Sequence, residues 1–129
     1  MDSSLAAIKA IRAKLVAANV ATGKVYNQAP QPAPAKPFVV LSIASTPLET
    51  IKTTYFSHRV RAQAWSEVSL AAVVGVRSAI YDALHRQTLT VDSPFLFSSC
   101  QVDTLIDAFL EPDNKTFQAV IEFDVVLTL

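Results

Sequence analysis

A candidate nucleophile and base in this sequence are the single cysteine, Cys100, and one of the two histidines, His58 or His85. Cysteine and histidine act as nucleophile and general base only when their side chains meet. Cys100 lies in an alternating segment, where a lone cysteine is usually a small buried apolar residue. His58 shares the parity of the apolar face of its segment, which is typical of a core histidine. His85 ends a helical pattern, where exposed carbonyls favour a cation. We therefore predict no catalytic residues and no enzyme activity.

Metal and phosphate sites are not predicted either. The two histidines lack the paired spacing of a metal site. The two glycines, Gly23 and Gly75, are too few to build a phosphate-cradling loop. We expect no metal and no cofactor.

The length of 129 residues fits one domain, residues 1–129. No stretch approaches the roughly eighteen apolar residues of a membrane span, so we predict no membrane association. The N-terminus lacks the basic start and apolar core of a signal peptide, which indicates assembly in the cytoplasm.

The charge of the chain is balanced overall but unevenly placed. Eleven Lys and Arg residues match eleven Asp and Glu residues, so no whole-molecule field would hold nucleic acid. Residues 1–91 contain ten basic and four acidic residues, a net of +6, whereas residues 92–129 contain one and seven, a net of −6. Two explanations fit this split: strands that pair within one sheet, which we favour, or head-to-tail contacts between identical subunits.

The central segment combines a strand pattern with a helix pattern. Residues 53–65 alternate, with Phe56, Val60 and Ala62 on one face, which predicts a strand with one buried side. Residues 68–86 have helical spacing. One helical stripe, rich in small residues, is predicted to lie against the sheet, and it consists of Val68, Ala72, Val76, Ala79 and Ala83.

A second face of the same helix needs its own cover. It consists of Leu70, Val74, Arg77 and Tyr81, at positions i, i+4, i+7 and i+11. A helix that is apolar on two sides is usually covered on both. Two explanations fit this second face: another segment of the same chain covers it, or a neighbouring subunit covers it. Because Tyr and Arg are favoured at interface centres, we prefer the subunit contact.

The remaining elements complete an α+β fold. An N-terminal helix is predicted from a stripe of large apolar residues, which consists of Leu5, Ile8, Ile11 and Leu15. We prefer docking of this helix on the rest of the protein over binding to a membrane or to phosphate. Strands are predicted at 38–43, 100–110 and 116–129, the last two joined as a hairpin by a turn at 112–115. In the strand 100–110 one face is predicted to contain Cys100, Val102, Thr104, Ile106 and Ala108. The predicted architecture is a mostly antiparallel sheet of four to five strands packed by two α-helices.

Two sets of polar or loop residues have predicted contacts. Arg59 and Arg61 have the parity to meet Glu122 and Asp124 across the sheet. The segment 29–37 is proline-rich, extended and stiff, and a shaped loop is preferred over a ligand for a proline-reading domain. Loop residues that we predict to contact neighbouring subunits are Pro32, Pro34, Thr46, Leu48 and Glu49.

The order of these patterns resembles the small tail-completion, or tail-terminator, proteins of long-tailed bacteriophages and gene transfer agents. The resemblance covers about residues 5–127. It rests on Gly-Lys-Val-Tyr at 23–26, Pro-Phe-Val-Val-Leu at 37–41, and a strand ending in Ala-Trp-Ser at 64–66. It also rests on Ala-Ile-Tyr-Asp-Ala-Leu-His at 79–85 and Glu-Pro-Asp-Asn-Lys-Thr at 111–116. The chain departs from the family pattern in its longer proline-rich loop and at Asn114, where the family commonly has glycine.

The resemblance implies a structural virion protein. Such a protein forms a hexameric ring that caps the head-proximal end of the tail tube, stops tube polymerisation and meets the head connector, while DNA passes through the lumen. Its expected partners are other copies of itself, the tail-tube protein and the connector or stopper. Two other classes remain as alternatives: a head-to-tail adaptor or stopper ring, and a cytoplasmic binding module.

Overall fold

The computed structural model describes residues 3–27, 37–45, 55–113 and 115–128. Two helices, α1 (Ser3–Ala17) and α2 (Leu70–Leu84), accompany five strands. The strands are β1 (Val25–Tyr26), β2 (Phe38–Ser45), β3 (Tyr55–Ser66), β4 (Leu96–Leu110) and β5 (Phe117–Thr128). They form one sheet in the order β1-β2-β3-β5-β4, in which β1 is parallel to β2 and the other pairs are antiparallel. The predicted α+β class, with two helices and a mostly antiparallel sheet, is confirmed.

The core lies between the two helices and one face of the sheet. Alternation along β3 and β5 places their apolar side chains on this face, because successive residues of a strand point to opposite sides. The fully buried members of β5 include Ile121, Phe123 and Val125. His58 of β3 is buried with them, and its Nε2 lies 2.9 Å from the hydroxyl oxygen of Ser3. The histidine therefore links the start of α1 to the centre of the sheet.

Helix α1 ends where the backbone becomes left-handed. Asn19, just before a short 3-10 segment (Val20–Gly23), has a φ of 58°, and Gly23, the last residue of that segment, has a φ of 83°. This turn sends the chain back along the sheet edge as β1, which pairs with Val39 and Val40 of β2. Within α1, Ile11 and Leu15 are fully buried as predicted. The prediction for Leu5 was wrong, since its side chain is exposed.

Helix α2 has a different phase from the predicted one. The hydroxyl of Ser69 accepts a hydrogen bond from the backbone N–H of Ala72 at 3.0 Å, so the helix begins at Leu70. Val68 therefore lies before the helix and is 80% exposed, and Ala79 is exposed as well. The predicted stripe was wrong at these two positions, because the larger side chains bury more apolar area when they face the sheet. The buried residues of α2 are Val73, Ile80 and Leu84.

Strand β4 is longer and less regular than predicted. It starts at Leu96, and its register against β5 shifts at three places. Between Val102, opposite Phe123, and Thr104, opposite Glu122, the strand accommodates one extra residue, Asp103. Such a bulge exchanges the faces of the residues that follow it, until the shift between Ile106 and Phe109 exchanges them again. The predicted shared face was therefore wrong at Thr104 and Ile106, whereas Ala108 packs against the core as Val102 does.

Candidate assembly interface

The three side chains with nucleophile or base chemistry all have structural roles in the part of the chain that the structure describes. Cys100 is buried, and burial, together with the charge of Asp124, raises the pKa of its thiol to about 12. His58 contacts Ser3 in the core. His85 follows α2, where its Nδ1 accepts a hydrogen bond from the backbone N–H of Val102 at 3.1 Å. Because it is buried and has a raised pKa, the Cys100 thiol is a poor nucleophile.

Sites for ions and membranes were sought in the same residues. Among the described residues, no group of three or more His, Cys, Asp or Glu side chains has the geometry to hold a metal ion. Neither described helix has the length and apolar character needed to cross a bilayer.

The predicted outer face of α2 lies beside β4. Leu70 and Tyr81 are exposed, while Val74 and Arg77 are partly buried. Arg77 donates a hydrogen bond from Nη1 to the carbonyl oxygen of Ile106 at 2.5 Å. A shallow groove runs between the helix and the strand, lined by Arg77, Ser78, Tyr81, Asp82 and Leu105. The structure thus brings this helix face and the second half of β4 into one surface.

The second half of β4 exposes several large apolar side chains. They are 36% to 50% exposed and consist of Leu105, Ile106, Phe109 and Leu110. By register, Leu105 and Leu110 lie opposite Ile121 and Phe117, whereas Ile106 lies opposite Val120, so the exposed residues occupy both faces of the sheet. The sequence prediction missed these residues. The signal was a segment apolar on both faces, which is typical of a strand covered on both sides.

The backbone along the outer side of β4 is already partly bonded within the chain. Besides the bonds from Val102 to His85 and from Arg77 to Ile106, the N–H of Arg86 donates to the carbonyl oxygen of Cys100 at 2.8 Å. Unpaired groups on an edge strand would otherwise invite another strand to pair. What β4 still offers to a partner is therefore mainly its side chains.

The predicted cross-strand partners do lie opposite each other. Arg61 pairs in register with Glu122, and their side chains meet at 2.9 Å. Arg59 pairs in register with Asp124 at 3.2 Å and also reaches Asp103 of β4 at 2.9 Å. Hydrogen bonding and charge from Asp124, with the charge of Asp103, raise the pKa of Arg59. The ion-pair cluster thus spans three strands, β3, β4 and β5, whereas the sequence prediction named only its β3 and β5 members.

A polar turn connects β4 to β5. The carboxylate of Asp113 accepts hydrogen bonds from the backbone N–H groups of Lys115 and Thr116, each at 2.9 Å, and from the hydroxyl of Thr116 at 2.6 Å. These bonds lower the pKa of Asp113 to about 2, with the hydroxyl bond as the largest cause. The turn holds the end of β4 against the start of β5.

The loop residues with predicted subunit contacts are not placed by the structure. They lie outside the described residues and consist of Pro32, Pro34, Thr46, Leu48 and Glu49. The same holds for most of the proline-rich segment 29–37.

Comparisons with known proteins agree with this architecture. A family model described as tail completion protein gp17 matches residues 6–128. A chain of the virion of a native gene transfer agent particle is similar, with a TM-score of 0.77, 17% identity, and coverage of 98% of this chain and 97% of that chain. The gp17 protein of bacteriophage SPP1 is similar with a TM-score of 0.59, 20% identity, and coverage of 98% and 91%. No curated protein sequence matches the chain.

The two solved structures share the fold over nearly their whole length. The family model runs from α1 to β5 and so includes every helix and strand described above. The structural roles of Cys100, His58 and His85 agree with a family of structural phage and gene-transfer-agent proteins. The chain therefore belongs to the tail completion protein gp17 family, and it is a structural virion protein rather than an enzyme.

Proposed function

We propose that the protein is a tail terminator. In this role it forms a ring, with six subunits implied by the resemblance, at the head-proximal end of the tail tube. The ring ends polymerisation of the tube and joins it to the head connector or stopper. The whole chain, residues 1–129, acts as one terminator domain, which assembles in the host cytoplasm and stays in the virion.

The observation that carries this proposal is the exposed apolar surface shared by α2 and β4. Leu70 and Tyr81 contribute from the helix, and Leu105 and Leu110 contribute from the strand. Large contiguous apolar surfaces on a protein mark sites where another protein binds. A terminator needs such surfaces and needs no chemistry, since its work is to bind its own copies and the two structures that it joins.

The electrostatics of the chain suit a ring through which DNA passes. The net charge is zero, and the cations Arg59 and Arg61 are neutralised by acidic partners on neighbouring strands. A strong positive field at the lumen would hold DNA through its phosphates. A neutral protein lets DNA pass without trapping it.

The remaining contacts of the ring involve the loops. In this proposal the segments around Pro32, Pro34, Thr46, Leu48 and Glu49 contact neighbouring subunits. The tail-tube protein and the connector bind at the two open ends of the ring, and no cofactor or membrane takes part.

A charge on the outer face of α2 tests this proposal. Val74→Glu introduces a carboxylate at the centre of the proposed contact, and we expect it to prevent ring assembly while the circular dichroism spectrum of the monomer stays unchanged. Val68→Glu is the matched control, because Val68 lies just before the same helix and is exposed. Normal rings from Val74→Glu would show that this helix face is not an interface.

A further inference from the structure

The second half of β4 is acidic as well as apolar. Asp103 lies before the exposed apolar residues of this half, Asp107 between them and Glu111 after them, and Asp103 binds Arg59. Asp107 is exposed and Glu111 is partly exposed. We name this surface, residues 103–111, the acidic edge. Leu105 and Leu110 lie on the helix-bearing face of this edge, and Ile106 and Phe109 lie on the opposite face. Asp107 and Glu111 place negative charge beside these apolar side chains, as at the polar rim of a protein contact.

The outer face of α1 has the complementary composition. Leu5 and Val16 are 62% and 39% exposed, and Lys9 and Arg12 lie between them. These four residues fall at positions i, i+4, i+7 and i+11, so they form one face of the helix, which we name the basic helix face. Lys9 binds Asp92 at 2.6 Å, yet its side chain remains 71% exposed.

The two surfaces lie towards opposite ends of the sheet. Helix α1 packs mainly over β1, β2 and β3 and has fewer contacts with β5, whereas the acidic edge belongs to β4, the strand at the other end of the strand order. Arg12 marks the β1 end, since its Nε donates to the carbonyl oxygen of Val25 at 2.8 Å. A second copy, placed alongside, can therefore offer its basic helix face to the acidic edge of the first.

We propose that the acidic edge of one subunit binds the basic helix face of the next, so that the ring contact is head-to-tail. This inference rests on the proposed ring. A closed ring larger than a dimer requires two different surfaces on each subunit, and opposite charges specify which surfaces meet. Two acidic edges facing each other would place like charges together, which disfavours a symmetric dimer through this surface.

The backbone bonds of β4 define how the contact forms. Arg86, His85 and Arg77 already bond to the outer side of the strand between Cys100 and Ile106. Within the acidic edge itself, the Ile106 carbonyl is already bonded to Arg77, so we expect the neighbouring subunit to pack against the side chains there and not to extend the sheet by another strand. This distinguishes the contact from the edge-to-edge pairing that an open strand would allow.

The first test compares two exposed leucines of the same strand. Leu105→Glu places a charge in the acidic edge, and Leu96→Glu places the same charge at the other end of β4, where the leucine is exposed to a similar degree. The mass of each full-length variant is measured by light scattering, alone and with the tail-tube protein. We expect Leu105→Glu to weaken subunit association about tenfold or more, since it removes a buried apolar contact. Leu96→Glu should assemble like the wild type.

The second test exchanges charges between the two surfaces. Asp107→Arg and Arg12→Asp should each weaken association several-fold, and the double variant should restore it, because the pair is re-formed with reversed signs. Arg86→Asp is the control for the loss of an exposed cation outside the basic helix face. A thermal unfolding curve of each variant verifies that it is folded.

The outcomes separate this inference from the function on which it rests. Rings from the wild type, weaker rings from both single variants and recovery in the double variant would support the head-to-tail contact. Wild-type rings that are insensitive to the single variants, or single defects without recovery in the double variant, would overturn the contact and leave the ring intact. Failure of the wild type to form any ring, alone or with the tail-tube protein, would overturn the proposed function itself.

Discussion

The two halves of strand β4 have the same neighbour but different surroundings. In the first half, residues 96–102, Cys100 is buried and the backbone bonds to residues that follow α2. In the second half, residues 103–110, four large apolar side chains are exposed. Among the described residues, the first half is covered, apart from Leu96 at its start, whereas the second half leaves four large apolar side chains exposed.

The position of α2 accounts for this difference. Its last residue, Leu84, is fully buried, and His85, which follows the helix, accepts a hydrogen bond from Val102 of the first half. Towards the second half, the helix contributes mainly the side chain of Arg77. A strand that has apolar residues on both faces, but cover from the described residues over only half its length, is typical of a surface where another protein binds.

The largest contrast between the two halves is expected in thiol reactivity. With a pKa raised to about 12, Cys100 is ionised in only about one chain in ten thousand at pH 8, and burial also blocks reagents. We expect wild-type protein to react with a maleimide only after unfolding. Leu105→Cys should add a thiol that reacts at least about a thousand times faster in the monomer. Rapid labelling of folded wild type would contradict the buried state of the first half.

Replacing a core aromatic residue of the sheet should lower the free energy of unfolding much more than replacing an aromatic residue at its edge. Phe123→Ala removes a fully buried side chain of β5 and should cost about 3–5 kcal/mol in the free energy of unfolding. Phe109→Ala removes an exposed ring from the second half of β4 and should cost less than about 1 kcal/mol in the monomer. Urea unfolding of both variants, at a concentration where the protein is monomeric, measures the difference. Equal losses would mean that the ring of Phe109 is covered within the chain.

Loss of the hydrogen bond between His85 and Val102, at the end of the first half of β4, should lower the free energy of unfolding less than the loss of a core aromatic ring. His85→Ala leaves the N–H of Val102 without its side-chain acceptor, and we expect a loss of about 1 kcal/mol in unfolding free energy. Thr88→Ala, at an exposed position nearby, is the matched control and should be near neutral. Hydrogen exchange of the Val102 amide should also become faster in His85→Ala, and an unchanged rate would contradict the role of His85.

The smallest effect is expected at the turn that ends the second half. Asp113 has a lowered pKa of about 2 in the folded protein, because Thr116 and two backbone N–H groups bind its carboxylate. Its contribution to stability is therefore fully present above the unfolded pKa of about 4 and is lost as the pH falls towards 2. The thermal midpoint of the wild type should fall more steeply over this range than that of Asp113→Ala. Parallel pH profiles would show that the carboxylate does not stabilise the turn.

The sequence predicted most of the sheet correctly because its strands have simple two-residue periods. The alternation of β3 and β5 gave their buried faces, and the parity of Arg59 and Arg61 matched that of their acidic partners. The turn chemistry of residues 112–115 matched the hairpin between β4 and β5. Each of these features depends on the types and spacing of residues close together in the chain, which can be read directly from the sequence.

The errors arose where one residue changes the phase of a pattern. The bulge at Asp103 exchanges the faces of β4, and a period-two pattern does not reveal it. The N-cap at Ser69 moves the start of α2 and leaves Val68 outside the helix. The exposed surface of β4 was missed because the sequence pattern treats Leu105 and Ile106 as alternating residues of a half-buried strand.

Ring assembly at the end of the tail tube is tested most directly by the mass of the purified protein. This mass is measured by light scattering, first with the protein alone and then mixed with the tail-tube protein. We predict a hexamer, or a monomer that becomes a ring only on the tube end. A monomer whose mass is the same with and without the tube would contradict the terminator function.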